Sequence, residues 1–212
     1  MKIKLCGITN KRDYRDAVLL GADFVGFIFY PKSPRYVEPE RVIEICGQAL
    51  PGNHRKVGVF VNERIETVRD IFRRVRLDIV QLHGDESPGY AAELGLPYWK
   101  AIRVKDRRSL DALRQYNCKT FLLDTYVKGK YGGTGISFDP QLVEEAVKIG
   151  KPGGIQIIAS GGISVENIEI LFRLECPVYA VDVNSSVEEY PGKKSREKME
   201  RFFEVFNRLR RT

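Results

Sequence analysis

Short apolar segments recur along the chain at a nearly constant spacing, and an amphipathic segment follows each of them. The apolar segments are rich in Val, Ile, Leu and Phe, which is typical of strands covered on both faces. The amphipathic segments have the period of a helix and a polar outer face. The predicted strands span residues 3–6, 24–29, 56–61, 79–82, 98–103, 120–125, 155–159 and 178–183. The predicted helices span residues 12–20, 39–49, 63–75, 87–94, 109–116, 140–149, 165–174 and 196–209.

This alternation restricts the possible folds more than any other feature of the sequence. Strands that alternate with helices form a parallel sheet with right-handed crossovers. Eight such pairs in 212 residues, about 26 residues each, favour an α/β fold of the (β/α)8 or TIM-barrel type, with eight parallel strands inside and helices outside. No linker interrupts the pattern, so we predict a single domain over residues 1–212. A doubly wound open sheet is the competing fold, but no GxGxxG motif follows the first predicted strand.

The composition argues against several classes of function. The net charge is +7, but the basic clusters fall in predicted helices and no signature of a nucleic-acid-binding domain accompanies them. No apolar run approaches the roughly 18 residues of a membrane span, and the first residues do not resemble a signal peptide. Four cysteines without a CxxC pair and two histidines argue against a metal site. We therefore expect a cytoplasmic protein with no metal, no nucleic-acid partner and no membrane association.

Two strand ends carry residues that could transfer protons. Active sites of (β/α)8 barrels lie at the carboxyl ends of the strands. Cys6 ends the first predicted strand, and Lys4 lies on the same face, where its ammonium group would stabilise a thiolate able to accept a proton. Asp124 follows two leucines at the end of the sixth strand. Asp124 either pairs with an interior lysine or lies in an apolar setting that keeps it protonated, as a general acid requires.

Two more residues near strand ends are candidates for contacts with a substrate. Pro31 and Pro34 stiffen the loop after the second strand and could hold Arg35 in one direction. A guanidinium group held in this way can bind a carboxylate through two parallel hydrogen bonds, although Arg35 could equally be an ordinary surface residue. His83 ends the fourth strand and either polarises a substrate or forms hydrogen bonds at the rim of the barrel; we favour the second role.

The ends of the seventh and eighth strands favour phosphate binding. Phosphate sites in these barrels commonly lie in the loops after these two strands. A glycine pair lets backbone N–H groups approach an oxyanion closely, and a helix predicted to begin near Ser185 would add its dipole. The residues assigned to this site are Gly161, Gly162, Asn184, Ser185 and Ser186, with Asp182 in a supporting role. The glycine-rich segment 129–135, after the sixth strand, could close over the site.

These motifs together resemble the phosphoribosylanthranilate isomerase family of tryptophan biosynthesis. The resemblance extends in order over about 190 residues, so coincidence is improbable. The matching segments are KLCGIT (4–9), GADFVGFIFYPKSPRYV (21–37), VGVFVNE (57–63), VQLHGDE (80–86), LLDT (122–125), GGTG (132–135), SGGI (160–163) and DVNSSVEEYPGKK (182–194). The family more often has glycine or alanine where this chain has Ser186, a difference of little consequence if the backbone binds the phosphate.

The resemblance implies an Amadori rearrangement of N-(5-phosphoribosyl)anthranilate to 1-(2-carboxyphenylamino)-1-deoxyribulose 5-phosphate, without a cofactor. By this resemblance, Asp124 is the general acid, Cys6 the general base and Arg35 the residue that binds the anthranilate carboxylate. The loops after strands seven and eight would bind the phosphate. Members of the family occur as monomers or homodimers, so we expect one of these two states.

Two alternative functions share part of this pattern. Another phosphosugar enzyme with a barrel fold would have the same phosphate loops but different residues at the mouth of the barrel. A non-catalytic barrel that binds anions would instead show a steep dependence on salt and similar affinity for all polyanions. Saturable conversion of one small substrate would distinguish the isomerase from both.

Overall fold

The computed structural model describes residues 1–47, 50–124 and 139–211. Its first eight strands form a closed parallel barrel in sequence order, and β8 pairs with β1 to complete the ring. The strands are β1 (Lys2–Leu5), β2 (Phe24–Ile28), β3 (Arg55–Phe60), β4 (Ile79–Leu82), β5 (Tyr98–Arg103), β6 (Thr120–Asp124), β7 (Gln156–Ser160) and β8 (Ala180–Val183). The ring confirms the predicted (β/α)8 barrel and rules out the open sheet.

Helices cover the outside of the barrel between successive strands. The α-helices are α1 (Lys11–Leu19), α2 (Pro39–Cys46), α3 (Ile65–Val75), α4 (Pro88–Leu94), α5 (Pro140–Gly150), α6 (Ile168–Phe172) and α7 (Arg196–Leu209). Side chains that precede four of them accept a hydrogen bond from the first helical turn and so satisfy its free N–H groups. These capping residues are Asn10, Ser87, Asp139 and Ser195. The cap at Asp139 agrees with the helix start predicted there.

The segment after β5 differs from the prediction of an α-helix over 109–116. It is a 3-10 helix over Arg107–Arg114. Asp106 and Ser109 form a reciprocal capping box at its start, with each side chain bonded to the backbone of the other. This box satisfies free N–H groups of the first turn, so the helix begins two residues before the start that the hydrophobic pattern indicated.

Two α-helices, in contrast, begin later than predicted. Helix α3 begins at Ile65 rather than at residue 63, because Asn62 has a left-handed φ of 52° and its side chain accepts a hydrogen bond from the Asp85 N–H. Helix α6 begins after Asn167, whose side-chain amide donates to the Gly162 carbonyl oxygen. In both places an asparagine side chain bonds to the backbone of a loop, and a local helix pattern does not reveal this bond.

The interior of the barrel is filled in layers that follow the two-residue period of a strand. An apolar layer lies towards the amino ends of the strands, where the Trp99 ring meets Phe24 edge-on with centroids 4.9 Å apart. Its members are Phe24, Val57, Ile79, Trp99, Ala101, Leu122, Ile158 and Ala180. A second apolar cluster includes residues of both the sheet and the outer helices. Because the amino end of the barrel interior is packed with side chains, the space inside the described barrel lies at the carboxyl end.

A small antiparallel hairpin lies between β8 and α7. A single 3-10 turn, Ser185–Val187, leads into β9 (Glu188–Tyr190), which pairs with β10 (Lys193–Lys194). The prediction of a helix that begins near Ser185 is therefore wrong beyond that one turn, because the backbone is already extended at Glu188. The hairpin brings Glu188 and Lys194 back towards the mouth of the barrel.

The described residues also bear on metals and membranes. Within residues 1–47, 50–124 and 139–211, no helix combines the length and the apolar character needed to cross a membrane. In the same ranges no three His, Cys, Asp or Glu side chains come together in a way that would hold a metal ion.

Candidate active site

A cavity of about 420 Å³ opens at the carboxyl ends of the strands. Residues two apart on a strand face the same side, so each polar lining residue lies above a residue of the apolar layer. Ala101 is followed two residues later by Arg103, and Leu122 by Asp124. The same step leads from Ile79 to Gln81, from Ile158 to Ser160 and from Ala180 to Asp182. Of the predicted site residues, those that line this cavity are Cys6, His83, Asp124, Gly161, Gly162, Asp182, Asn184 and Ser185.

Cys6 lies just beyond the end of β1 and is 4 % exposed. Below it, the buried Lys4 ammonium donates to Asp182 Oδ1 at 2.8 Å. Burial raises the pKa of the Cys6 thiol; Lys4 opposes this rise, and the Asp182 carboxylate adds to it. Lys4 thus acts on the Cys6 thiol in the expected direction, but burial has the larger effect and keeps the pKa of the thiol above its ordinary value.

Gly26 in β2 leaves room for the Cys6 thiol. A Cβ atom placed on Gly26 would lie 2.8 Å from Cys6 Sγ and 3.2 Å from Lys4 Nζ. We therefore expect Gly26→Ala to destabilise the fold by about 1–3 kcal/mol, the usual cost of overpacking a core. The loss is measured as a lower midpoint of guanidinium unfolding.

Gly89→Ala is a matched control for this substitution. Gly89 lies in α4, and the nearest atom to an added Cβ is Ser87 Oγ at 3.7 Å, an ordinary contact. We expect this variant to be as stable as the parent or slightly more stable. Equal midpoints for the parent and Gly26→Ala would contradict the close packing around Cys6.

Asp124 ends β6 and faces His83 across the cavity. The distance from His83 Nε2 to Asp124 Oδ2 is 3.5 Å, at the outer limit of a hydrogen bond. On its other side, His83 Nδ1 lies 2.8 Å from Nε2 of the buried Gln81. The interior lysine Lys4 pairs with Asp182 rather than with Asp124. This arrangement leaves Asp124 next to an imidazole, with its side chain 30 % exposed to the cavity.

The loop that carries His83 is held by a buried ion pair. Lys100 Nζ lies 2.9 Å from Glu86 Oε2 and also donates to the Gly84 carbonyl oxygen at 2.7 Å. Glu86 in turn accepts from the backbone N–H groups of Gly84 and Asn62. The imidazole is therefore carried on a loop that this buried ion pair holds in place.

The predicted phosphate loops meet at one side of the cavity. Gly161 and Gly162 have φ values of 93° and 81°, which glycine adopts without the strain that a side chain would cause. The Ser186 hydroxyl donates to the Ile163 carbonyl oxygen at 2.6 Å, so only its backbone N–H is left for an anion. Segment 129–135, the predicted closing loop, lies outside the described residues.

Arg35 lies beside the cavity and is paired with a carboxylate of the hairpin. Its Nε donates to Glu188 Oε1 at 2.9 Å, and its Nη2 donates to Oε2 at 2.6 Å. Glu188 is buried and also accepts from Lys194 Nζ at 3.0 Å. Burial alone would raise the pKa of Glu188, but hydrogen bonds from Arg35 and Lys194 lower it. The Glu188 carboxylate thus fixes the direction of the guanidinium group. The sequence alone predicts this effect from the two prolines of the loop.

Several site residues were not predicted from the sequence. Gln81 and Arg103 line the cavity, and both could have been found from the two-residue period at the ends of β4 and β5. Lys194 is buried although it lies in a short basic run, and no local pattern reveals that. Its position follows from the hairpin, which brings it next to Asn184.

A closed barrel with a thiol, a carboxyl group and glycine-rich loops around one cavity places this chain among the (β/α)8-barrel enzymes. A sequence profile of N-(5'-phosphoribosyl)anthranilate (PRA) isomerase matches residues 3–205. The N-(5'-phosphoribosyl)anthranilate isomerase of Trichlorobacter lovleyi is 42 % identical over 202 residues, which cover 95 % of this chain and 96 % of that protein.

Two solved structures are similar along nearly the whole chain. One is a phosphoribosyl anthranilate isomerase in complex with reduced 1-(o-carboxyphenylamino)-1-deoxyribulose 5-phosphate, with a TM-score of 0.81, 34 % identity and 98 % of both chains covered. The other shows monomers generated from the dimeric enzyme of Thermotoga maritima, with a TM-score of 0.79, 33 % identity and 98 % of both chains covered. The present chain belongs to the phosphoribosylanthranilate isomerase family, whose members are aldose–ketose isomerases of tryptophan biosynthesis.

Proposed function

We propose that this protein converts N-(5-phosphoribosyl)anthranilate to 1-(2-carboxyphenylamino)-1-deoxyribulose 5-phosphate by general acid and general base catalysis. The observation that carries the proposal is that Cys6 and Asp124, at the ends of β1 and β6, line one cavity. The proton transfers need only side chains, so the proposed reaction uses no cofactor or metal. We further propose that residues 1–212 form one catalytic domain. A cytoplasmic location and a monomeric or homodimeric state stay predictions.

The reaction begins with a proton from the Asp124 carboxyl group to the ring oxygen of the sugar. The C1–O bond then breaks, and the nitrogen lone pair forms an iminium ion at C1. Cys6 in its thiolate form removes the proton from C2, and the electrons of that bond form an enolamine. The Asp124 carboxylate then takes the hydroxyl proton of the enolamine and the Cys6 thiol gives its proton to C1, so the ketone forms and both side chains return to their starting states. No proton is lost or gained overall, as an isomerisation requires.

The environment of Cys6 suits a base that acts only on a bound intermediate. Burial raises the pKa of the thiol, so little thiolate is present before the substrate binds. The iminium ion adds a positive charge beside the thiol and makes the C2 proton more acidic. Both effects favour transfer from C2 to sulfur at the stage when the reaction needs it.

His83 and Gln81 can accommodate both protonation states of Asp124. When Asp124 is a carboxylate, His83 donates to it through Nε2–H and accepts from the Gln81 amide through Nδ1. When Asp124 is protonated, its O–H donates to His83 Nε2, and His83 Nδ1–H donates to the Gln81 carbonyl oxygen. An amide carries one donor group and one acceptor, so a rotation of Gln81 serves the second state. The Gln81 Oε1 atom is buried with no hydrogen-bond partner among the described residues, so it is available for this purpose.

Arg35 is proposed to bind the anthranilate carboxylate, and Arg35→Ala tests this role. The variant is expected to raise KM by about 10–100-fold, which corresponds to about 1.5–3 kcal/mol for hydrogen bonds to a charged group. We expect kcat to change less, because the carboxylate lies away from the reacting atoms. Steady-state kinetics measure both constants.

Lys32→Ala is a matched control for Arg35→Ala. Lys32 is exposed in the same loop, so its loss removes one positive charge without changing the pair with Glu188. We expect its KM to stay near that of the parent. If Arg35→Ala left both KM and kcat unchanged, Arg35 would have no place in the site.

The proposed function is tested by adding the purified protein to phosphoribosylanthranilate and following the decay of its fluorescence. Saturable decay that yields the carboxyphenylamino ketose supports the isomerase. Binding without turnover, weakened steeply by salt and equal for unrelated polyanions, would indicate an anion-binding barrel instead. Turnover of a different phosphosugar alone would favour another enzyme of the same fold.

A further inference from the structure

Lys194 is a buried ammonium group behind the wall of the cavity. Its side chain has no exposed surface, and its Nζ donates to Glu188 Oε1 at 3.0 Å. The same nitrogen donates to the side-chain Oδ1 of Asn184 at 2.8 Å and to the Asn184 backbone oxygen at 3.1 Å. Three acceptors therefore use the three N–H groups of this lysine.

These bonds determine which way the Asn184 amide faces. A lysine ammonium has donors and no acceptor, so only the oxygen of the amide can face it. The reversed amide would place its NH2 group against the NH3⁺ group of Lys194 and lose the bond. Nδ2 is attached to the same planar carbon as Oδ1, so it points away from Lys194.

The free end of the amide lies at the cavity, close to Cys6. Asn184 lines the cavity, and its Nδ2 has no hydrogen-bond partner among residues 1–47, 50–124 and 139–211. The Cys6 N–H donates to the Val183 carbonyl oxygen at 2.9 Å, so Asn184, the residue after Val183, lies beside Cys6. The amide that carries the unpaired donor therefore belongs to a residue next to Cys6 at the same cavity.

We propose that Asn184 is a catalytic residue that donates a hydrogen bond to the oxygen on C2 of the sugar, and that Lys194 is the positioning residue that aims it. This inference rests on the proposed function. Cys6 takes the proton from C2, so a donor beside Cys6 meets the oxygen bonded to that same carbon. This oxygen becomes the ketone oxygen, and a fixed donor stabilises the charge that develops on it.

This role differs from the phosphate contact that the sequence suggested for Asn184. A contact with phosphate is made equally in the ground state and the transition state, so its loss raises KM and weakens inhibition by inorganic phosphate. A contact with the C2 oxygen strengthens during the reaction, so its loss lowers kcat and leaves phosphate inhibition unchanged. The two roles can therefore be separated by kinetics.

Asn184→Asp is the most informative substitution. It has nearly the same shape and still offers Lys194 an acceptor, but it replaces the free NH2 donor with an oxygen. We expect a loss in kcat on the order of 10²-fold, the scale for removal of one oxyanion donor, and an unfolding midpoint at least equal to that of the parent. Asn184→Ala, which introduces no negative charge, is expected to lose kcat to a similar extent with an unchanged Ki for inorganic phosphate.

Lys194→Met tests the positioning role. If Lys194 acts through the amide, the double variant of Lys194→Met and Asn184→Ala loses no more kcat than Asn184→Ala alone. Additive losses would overturn the role of Lys194. If the Lys194 variants do not fold, the Asn184 variants still decide whether Asn184 is the donor.

Two results would overturn the role of Asn184, and a third would overturn the proposed function. Near-parental kcat in Asn184→Asp would mean that only the bond to Lys194 matters. A raised KM and a raised phosphate Ki with unchanged kcat would return Asn184 to the phosphate site. The parent protein is measured first, and an absence of turnover there would contradict the isomerase proposal itself.

Discussion

Asp124→Asn is expected to lower kcat on the order of 10²–10⁴-fold, the usual scale for loss of a positioned general acid. The carboxamide has nearly the shape of the carboxyl group, so it can keep the contact with His83 and the packing at the end of β6. It cannot release a proton to the ring oxygen, so the sugar ring opens slowly. Single-turnover measurements of phosphoribosylanthranilate decay would show the loss in the chemical step rather than in binding.

Asp85→Asn provides the matched control for the acid. Asp85 is an exposed carboxylate on the loop after β4, at the same end of the barrel, and it does not line the cavity. The control is expected to keep the kcat of the parent. Near-parental turnover in Asp124→Asn would mean that another group protonates the ring oxygen.

Cys6→Ser is expected to lower kcat by a similar factor, on the order of 10²–10⁴. The hydroxyl group is slightly smaller than the thiol and fits the space beside Gly26. A serine hydroxyl is far less acidic than a thiol, so almost no alkoxide forms to accept the C2 proton. Removal of the hydrogen from C2 would become rate-limiting. Substrate that carries deuterium at C2 would then show a primary isotope effect on kcat.

Cys176→Ser shows whether loss of any thiol has this effect. Cys176 is a free, half-buried cysteine between α6 and β8, and it does not line the cavity. We expect unchanged kcat. Full activity in Cys6→Ser would remove Cys6 as the base, and the proton from C2 would then have to go to another residue of the cavity.

The barrel was predictable because its strands and helices are set by local patterns. The apolar runs at 79–82 and 98–103 match β4 and β5 at both ends, since strands buried on both faces need continuous apolar sequence. Three helix starts differed from the prediction because a side chain bonds to the backbone of a loop or forms a cap. Asn62 and Asn167 delay the starts of α3 and α6, and the box of Asp106 and Ser109 produces a 3-10 helix after β5.

The candidate site was predictable in part because barrel geometry brings the strand ends together. Cys6, His83, Asp124 and Asn184 are distant in sequence, yet all line one cavity, as the rule for carboxyl ends indicates. The chemistry around them was less predictable. That Lys4 pairs with Asp182, and not with Asp124, depends on which strands are neighbours and on their register.

The sequence by itself determined the eightfold alternation, the closed parallel barrel, the family and the strand ends that carry polar groups. These follow from periodicity and from motifs, which are properties of neighbouring residues. Only the tertiary structure decided the charge balance beneath Cys6, the pairing of Arg35 with Glu188 and the direction of the Asn184 amide. Each of these depends on contacts between residues far apart in the chain. Coulombic and hydrogen-bond energies depend on the distance between the two groups, and local sequence patterns do not specify that distance.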